Sequence, residues 1–166
     1  MHVRGPRVHY FGPGVHNAGQ IDLKSGDMVY LATGAWVKGL ICARGARDVS
    51  IVGHGVLGAT EDAKGIGNYD QQGPILLEGT RDARIEGITI FNRYNWTVHL
   101  RQADGTKIDG IRILNPGEWY GGDGIDIDSS SDVVVENFFV RTGDDRVAVM
   151  NMADVETTDI TLRPAV

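Results

Sequence analysis

Two stretches of this chain copy each other. Arg84-Ile85-Glu86-Gly87-Ile88-Thr89-Ile90-Phe91-Asn92 recurs 23 residues later as Lys107-Ile108-Asp109-Gly110-Ile111-Arg112-Ile113-Leu114-Asn115. A weaker copy, Val134-Val135-Glu136-Asn137-Phe138-Phe139-Val140, follows 27 further on, Asp159-Ile160-Thr161-Leu162 follows 22 after that, and Ser50-Ile51-Val52-Gly53 is an earlier copy. Short apolar runs such as Val29-Tyr30-Leu31, Ile75-Leu76-Leu77, Val133-Val134-Val135 and Val147-Ala148-Val149 are bounded by Gly, Asn, Asp or Ser, the signature of strands. No stretch keeps a spacing of 3.6. A repeat of this length is one supersecondary unit that buries its apolar face only by stacking on its neighbours.

Strands without helices at 22–27 residues per repeat predict an all-β solenoid, a parallel β-helix with about three short strands per turn and turns stacked ~4.8 Å apart. The leucine-rich consensus and the long antiparallel blades of a propeller are both missing. Gly87, Gly110 and Asn137 fall at one recurring corner that needs positive φ, and Asn92 and Asn115 are placed to stack one turn apart. Gly makes up 23 of 166 residues, about twice its usual share, which argues against a helical bundle.

Composition excludes more than it selects. No apolar run nears the ~20 residues of a membrane helix, and the start Met-His-Val-Arg-Gly-Pro has no signal-peptide core. A single Cys, Cys42, precludes an internal disulfide and a multi-thiolate zinc site. A net charge of −6 offers no general attraction to nucleic acid or anionic lipid. Gly53-His54-Gly55-Val56-Leu57-Gly58 fits a dinucleotide fingerprint, but Ala59–Asn68 has no apolar helical face to follow it, so these read as corner glycines. Gly121-Gly122-Asp123-Gly124-Ile125-Asp126-Ile127-Asp128-Ser129 resembles a calcium nonapeptide, yet stands as a single copy with Asp128 where a large apolar residue belongs.

One carboxylate cluster carries chemistry. Asp123 lies 21 residues before Asp144, about one turn of the solenoid, and Asp145 adjoins Asp144. One turn in sequence becomes one stacking distance in space, so the three carboxylates are expected on one face of adjacent turns. Like charges within ~4–6 Å raise one proton affinity, and glycosidic cleavage needs one protonated and one ionised carboxyl. Ordinary turn chemistry is the alternative reading of Asp-Gly and Gly-Asp-Asp.

Asn95-Trp96-Thr97-Val98-His99, Ile113-Leu114-Asn115-Pro116, Asp123-Gly124-Ile125-Asp126 and Thr142-Gly143-Asp144-Asp145-Arg146-Val147-Ala148-Val149 together resemble the polygalacturonases, glycoside hydrolase family 28. Tyr10-Phe11-Gly12-Pro13-Gly14, Ile21–Asp27 and Gly34-Ala35 extend the resemblance toward the N-terminus. It implies a right-handed single-stranded parallel β-helix that hydrolyses a pectic polysaccharide with inversion and without metal or other cofactor. By that resemblance Asp144 is the general acid, Asp123 and Asp145 hold the attacking water, and His99, following Trp96, lies near the sugar subsites, with a structural role as its alternative. Trp96 and Arg146 are the other substrate-binding candidates, and Arg146 serves an anionic sugar or pairs with its neighbouring aspartates. Gly121-Gly122 replaces the usual Asn-Thr, and Arg146 stands where the family has Cys.

Three further readings stay open. One is a dextranase-like family 49 hydrolase acting on neutral glucan. Another is a calcium-dependent polysaccharide lyase with Arg141 or Arg146 as base. The last is a non-catalytic carbohydrate-binding β-helix using Trp96, Trp119 and Tyr120 as platforms. The expected partner is a polysaccharide, with no nucleic acid or membrane, for a monomer when full length. Polymeric substrates imply a secreted or periplasmic location. The chain stops at Arg163-Pro164-Ala165-Val166 directly after a strand. Residues 1–166 are therefore read as a partial β-helix domain truncated on its C-terminal side, and the isolated chain is expected to show little or no activity.

Overall fold

A computed structural model describes residues 7–58, 73–92, 96–115, 121–153 and 155–164, and every helix or strand among them is a strand. The strands form three rows of parallel pairs. The first row holds β1 (Val8–Phe11), β3 (Met28–Leu31), β5 (Ser50–Gly53), β8 (Arg84–Glu86), β11 (Lys107–Asp109), the start of β14 (Ser131–Arg141) and β16 (Thr158–Pro164). The second row holds the starts of β2 (Gly14–Leu23) and β4 (Ala35–Arg44), then β6 (Val56–Gly58), β9 (Thr89–Phe91), β12 (Arg112–Leu114) and the end of β14. The third row continues β2 and β4 into β7 (Ile75–Glu78), β10 (Val98–Arg101), β13 (Ile125–Asp128) and β15 (Val147–Met150). This is the parallel β-helix expected from the repeats.

Alternation along each strand builds the core. Val29, Leu31, Ile51, Ile85, Ile108 and Val135 point inward from the first row, and Leu57, Ile90 and Ile113 from the second. Ile41, Ile75, Leu77, Val98, Leu100, Ile125 and Ile127 complete the bore from the third. Each such side chain taken out of water contributes roughly 1.5–3 kcal/mol, and the turns stack because no single turn can bury them alone.

Registers follow the sequence repeat with one exception. Arg84 pairs with Lys107, Thr89 with Arg112 and Lys107 with Val134, as the copies predict. The last copy was expected 22 residues on; instead Val133 pairs with Ile160, a step of 27. The extra length lies between the third and first rows: Asp128 pairs with Met150, a step of 22, but Ser131 pairs with Thr158, a step of 27, so the connection from Met150 to Thr158 is five residues longer than the one from Asp128 to Ser131.

The predicted corner is real. Gly53, Gly87, Gly110 and Asn137 have φ of 129°, 74°, 65° and 53° in successive turns. A Cβ at Gly87 would strike the Gly53 carbonyl, while Asn137 tolerates the conformation and donates from Nδ2 to Asp109 Oδ1 at 2.9 Å. Asn92 and Asn115 are buried one turn apart, and both amides reach Thr97 Oγ1, at 3.3 and 3.4 Å. The Gly53–Gly58 motif is β5, a corner and β6, with no helix in it; Ala59–Asn68 lies outside the described residues.

Candidate active site

The third row positions the acidic groups. Ile125 pairs with Val147, so one turn here is 22 residues and Asp123 falls beside Asp145, with Asp144 one residue earlier. The backbone locks this column. The Thr97 amide donates to the Asp123 carbonyl at 3.0 Å, and the Gly124 amide to the Asp145 carbonyl at 2.9 Å. Gly124 is obligatory: a Cβ there would collide with the Arg146 carbonyl and with Val140. The Asp-Gly of the sequence is thus a close-packing requirement.

Asp123 is buried, whereas Asp144 and Asp145 are exposed beside it. Burial raises the proton affinity of Asp123, and the charges of Asp144 and Asp145 raise it further. Asp144 Oδ2 accepts the Gly121 amide of the preceding turn at 2.8 Å, and the Thr142 hydroxyl donates to the Asp144 carbonyl at 2.9 Å, so one bond between turns and one local bond hold the Gly143-Asp144 turn.

The other expected residues divide. His99 is 2% exposed on the outer side of β10, and neither ring nitrogen has a hydrogen-bond partner among the described residues. Its Nε2 lies 3.9 Å from Asp128 Oδ2, too far for a hydrogen bond. Burial pushes the imidazole down to about 4 against the pull of Asp128, so it is neutral at pH 7. Trp96 is half-buried and meets the His99 ring edge-on, at 4.8 Å and 87°. Arg146 is exposed and makes no ion pair with Asp144 or Asp145 among the described residues, so it does not neutralise the cluster. Trp119 and Tyr120 lie outside the described residues.

The acid that sequence reasoning passed over is Asp126. Ile125 and Ile127 face the core, which turns Asp126 and Asp128 to the outer side of β13, yet both are buried. Asp128 is satisfied: the Ser129 hydroxyl and the Met152 amide donate to its Oδ1 at 2.8 and 2.7 Å, and Arg101 Nε lies 3.9 Å from Oδ2. That arginine continues a ladder through Glu78 to Arg44. Asp126 is 0% exposed, and among the described residues no donor reaches either oxygen. Burial and the charge of Asp123 drive its carboxyl up to about 9. The signal was the strict Ile-Asp-Ile-Asp alternation that begins two residues after Asp123. Among the described residues no group of three or more His, Cys, Asp or Glu is arranged to hold a metal ion.

A β-helix with four carboxyls gathered outside one row has relatives. A profile described as glycosyl hydrolases family 28 matches residues 42–165. The chain is 36% identical over 78 residues to a probable polygalacturonase of Vitis vinifera, covering 46% of this chain and 16% of that protein. It is 31% identical over 91 residues to a polygalacturonase of Juniperus ashei, covering 54% and 18%. It therefore spans under a fifth of either plant protein. Among solved structures it resembles the polygalacturonase of Erwinia carotovora, with a TM-score of 0.76, 17% identity and coverage of 98% of this chain and 63% of that one. The family 28 exopolygalacturonase of Yersinia enterocolitica gives a TM-score of 0.72 at 19% identity, covering 88% and 39%. The fold, the repeat and the matched profile lead to one assignment: this chain belongs to glycosyl hydrolases family 28.

Proposed function

We propose that this chain carries the acid/base centre of a polygalacturonase-type hydrolase that cleaves a pectic polysaccharide outside the cytoplasm. The observation that supports this most is the register that sets Asp123 beside Asp145 with Asp144 adjoining. Asp144 is the general acid. It is exposed at the mouth of the cluster, and the Gly121 amide on Oδ2 leaves Oδ1 to hand its proton to the leaving glycosidic oxygen. Asp123 and Asp145 hold the water and draw its proton as it attacks the anomeric carbon, giving inversion. His99 is neutral at working pH, so it shapes the subsite floor with Trp96 and supplies no positive charge. Arg146 is exposed and forms no ion pair among the described residues, so it is a cation that an anionic sugar would meet, which favours uronate over neutral glucan.

The test is reducing-end release from polygalacturonate and, in parallel, from dextran. The full-length polypeptide that carries this chain is expected to hydrolyse the first, without the ultraviolet-absorbing product of a lyase and without loss on chelation. Asp144→Asn is expected to lower kcat by ~10²–10⁴-fold with the circular dichroism spectrum unchanged. Residues 1–166 alone are expected to show little turnover. Binding without hydrolysis, unaffected by Asp144→Asn, would contradict the assignment.

A further inference from the structure

Asp126 and Asp128 pose the same problem two residues apart and meet it differently. Both are acids on the outer side of β13, and both are buried. Asp128 has two donors and the Arg101 ladder. Around Asp126 the described groups offer nothing comparable. From β10 it faces His99, neutral and without a hydrogen-bond partner among the described residues, with Arg101 at the next outer position. From β15 it faces the methyl of Ala148. Asp128 on its own strand and Asp144 and Asp145 before β15 are acidic, and Arg146 is exposed. Among the described residues the Asp123 carboxyl, three residues earlier and also buried, is the group whose charge and side-chain hydrogen-bonding capacity bear on Asp126 most.

Two ionised carboxylates have no donor between them, so that contact forms only when one carries a proton. Asp126 is the deeper of the two, at 0% exposure against 7%, and an uncompensated charge is least tolerable there. We propose that Asp126 is a positioning residue whose carboxyl O–H donates to Asp123, fixing the orientation of that carboxylate and favouring its ionised form. The bond is charge-assisted and short by nature, and it sits in a water-poor setting where such bonds are strongest. Asp126 touches no substrate. It acts through Asp123, and its catalytic meaning rests on the proposed hydrolase, whereas the hydrogen bond itself does not.

The experiment follows the side-chain carboxyl ¹³C resonances of aspartate from pH 3 to 10 in the full chain, for wild type, Asp126→Asn and Asp126→Leu. In the wild type the Asp126 resonance is expected to stay in its protonated position at pH 7. Asp126→Leu removes the donor and is expected to shift the Asp123 midpoint upward. Asp126→Asn keeps a neutral donor of the same shape and is expected to return that midpoint toward the wild-type value. An Asp126 that ionises along with the exposed aspartates overturns the proposal, and so does an Asp123 midpoint unmoved by Asp126→Leu. If the leucine variant does not fold, the wild-type Asp126 titration decides alone. In kinetics, the acid limb of kcat is expected to move upward in Asp126→Leu with KM unchanged, and to recover in Asp126→Asn. A wild type that leaves polygalacturonate intact while the resonances behave as expected would defeat the hydrolase reading and spare the hydrogen bond.

Discussion

The first and third rows offer the same outward positions on the same coil and fill them in opposite ways. On the first row the outer side chains are exposed or half-buried and paired, across turns or along one strand. Lys107 Nζ lies 2.9 Å from Glu136 Oε1, Arg163 Nη1 lies 3.5 Å from Glu136 Oε2, and Arg84 pairs with Glu86. The hydrogen bond and charge of Glu136 hold the Lys107 ammonium above its usual range. On the third row, near β13, His99 and Asp126 are buried with no cation bonded to them, and Asp123 stands among like charges. Exposed pairs add little to stability, whereas buried unpaired polar groups subtract from it. A fold tolerates that cost where the groups are used, as active sites commonly do.

Substitutions can break this contrast, and the largest effect belongs to the third row. Asp145→Asn is expected to cut polygalacturonate hydrolysis by ~10²–10⁴-fold, while Glu136→Gln on the first row leaves kcat within twofold, both read by reducing-end assay. Next comes Gly124→Ala. Its methyl collides with the Arg146 carbonyl and Val140, so a loss of about 1–3 kcal/mol is expected in urea unfolding. Gly110→Ala meets nothing closer than 3.9 Å and pays only for its positive φ, so it should cost less.

Third is a pair of opposite pH slopes. Asp126 in the folded chain holds its proton up to about 9, against 3.8 for a free carboxyl. Above 3.8 the unfolded chain releases a proton that the folded chain keeps, so this group stabilises fully below that pH and its contribution is lost as pH rises toward 9. His99 runs the other way. Its folded value of about 4 lies below 6.5, so its contribution is present above 6.5 and lost as pH falls toward 4. Asp126→Asn should therefore gain melting temperature on wild type between pH 4 and 8, and His99→Gln should gain between pH 6.5 and 4. Parallel curves for both variants would remove the contrast. The smallest effect is Lys107→Ala, an exposed pair whose loss should leave the unfolding midpoint within error.

Much of the coil was legible because its period is written in apolar residues. Ile85 and Ile108, Ile90 and Ile113, and the corner of Gly87, Gly110 and Asn137 recur at the spacing the registers show. Two other corners were not legible. One carries Asp48, Asp82 and Asp132 at positive φ, the other Gln102 and Ser129. A side chain in that conformation is held there by the backbone pairs on either side, which no single residue announces. The 27-residue step to Ile160 was missed because the longer connection from Met150 to Thr158 carries no apolar periodicity to mark it. At the site, the spacing from Asp123 to Asp144 indicated one turn and came within a residue of the observed register. Asp126 escaped because an acid on a strand's outer side reads as solvated, and only the folded surroundings show it to be buried.

Hydrolysis at this centre requires Asp123 and Asp145 to act on one water as a single unit. The direct measurement is kcat on polygalacturonate for Asp123→Asn, Asp145→Asn and the double variant. Groups that serve one step together predict a double variant no slower than about the worse single one. Losses that multiply would show two carboxylates working separately, and would contradict the shared site.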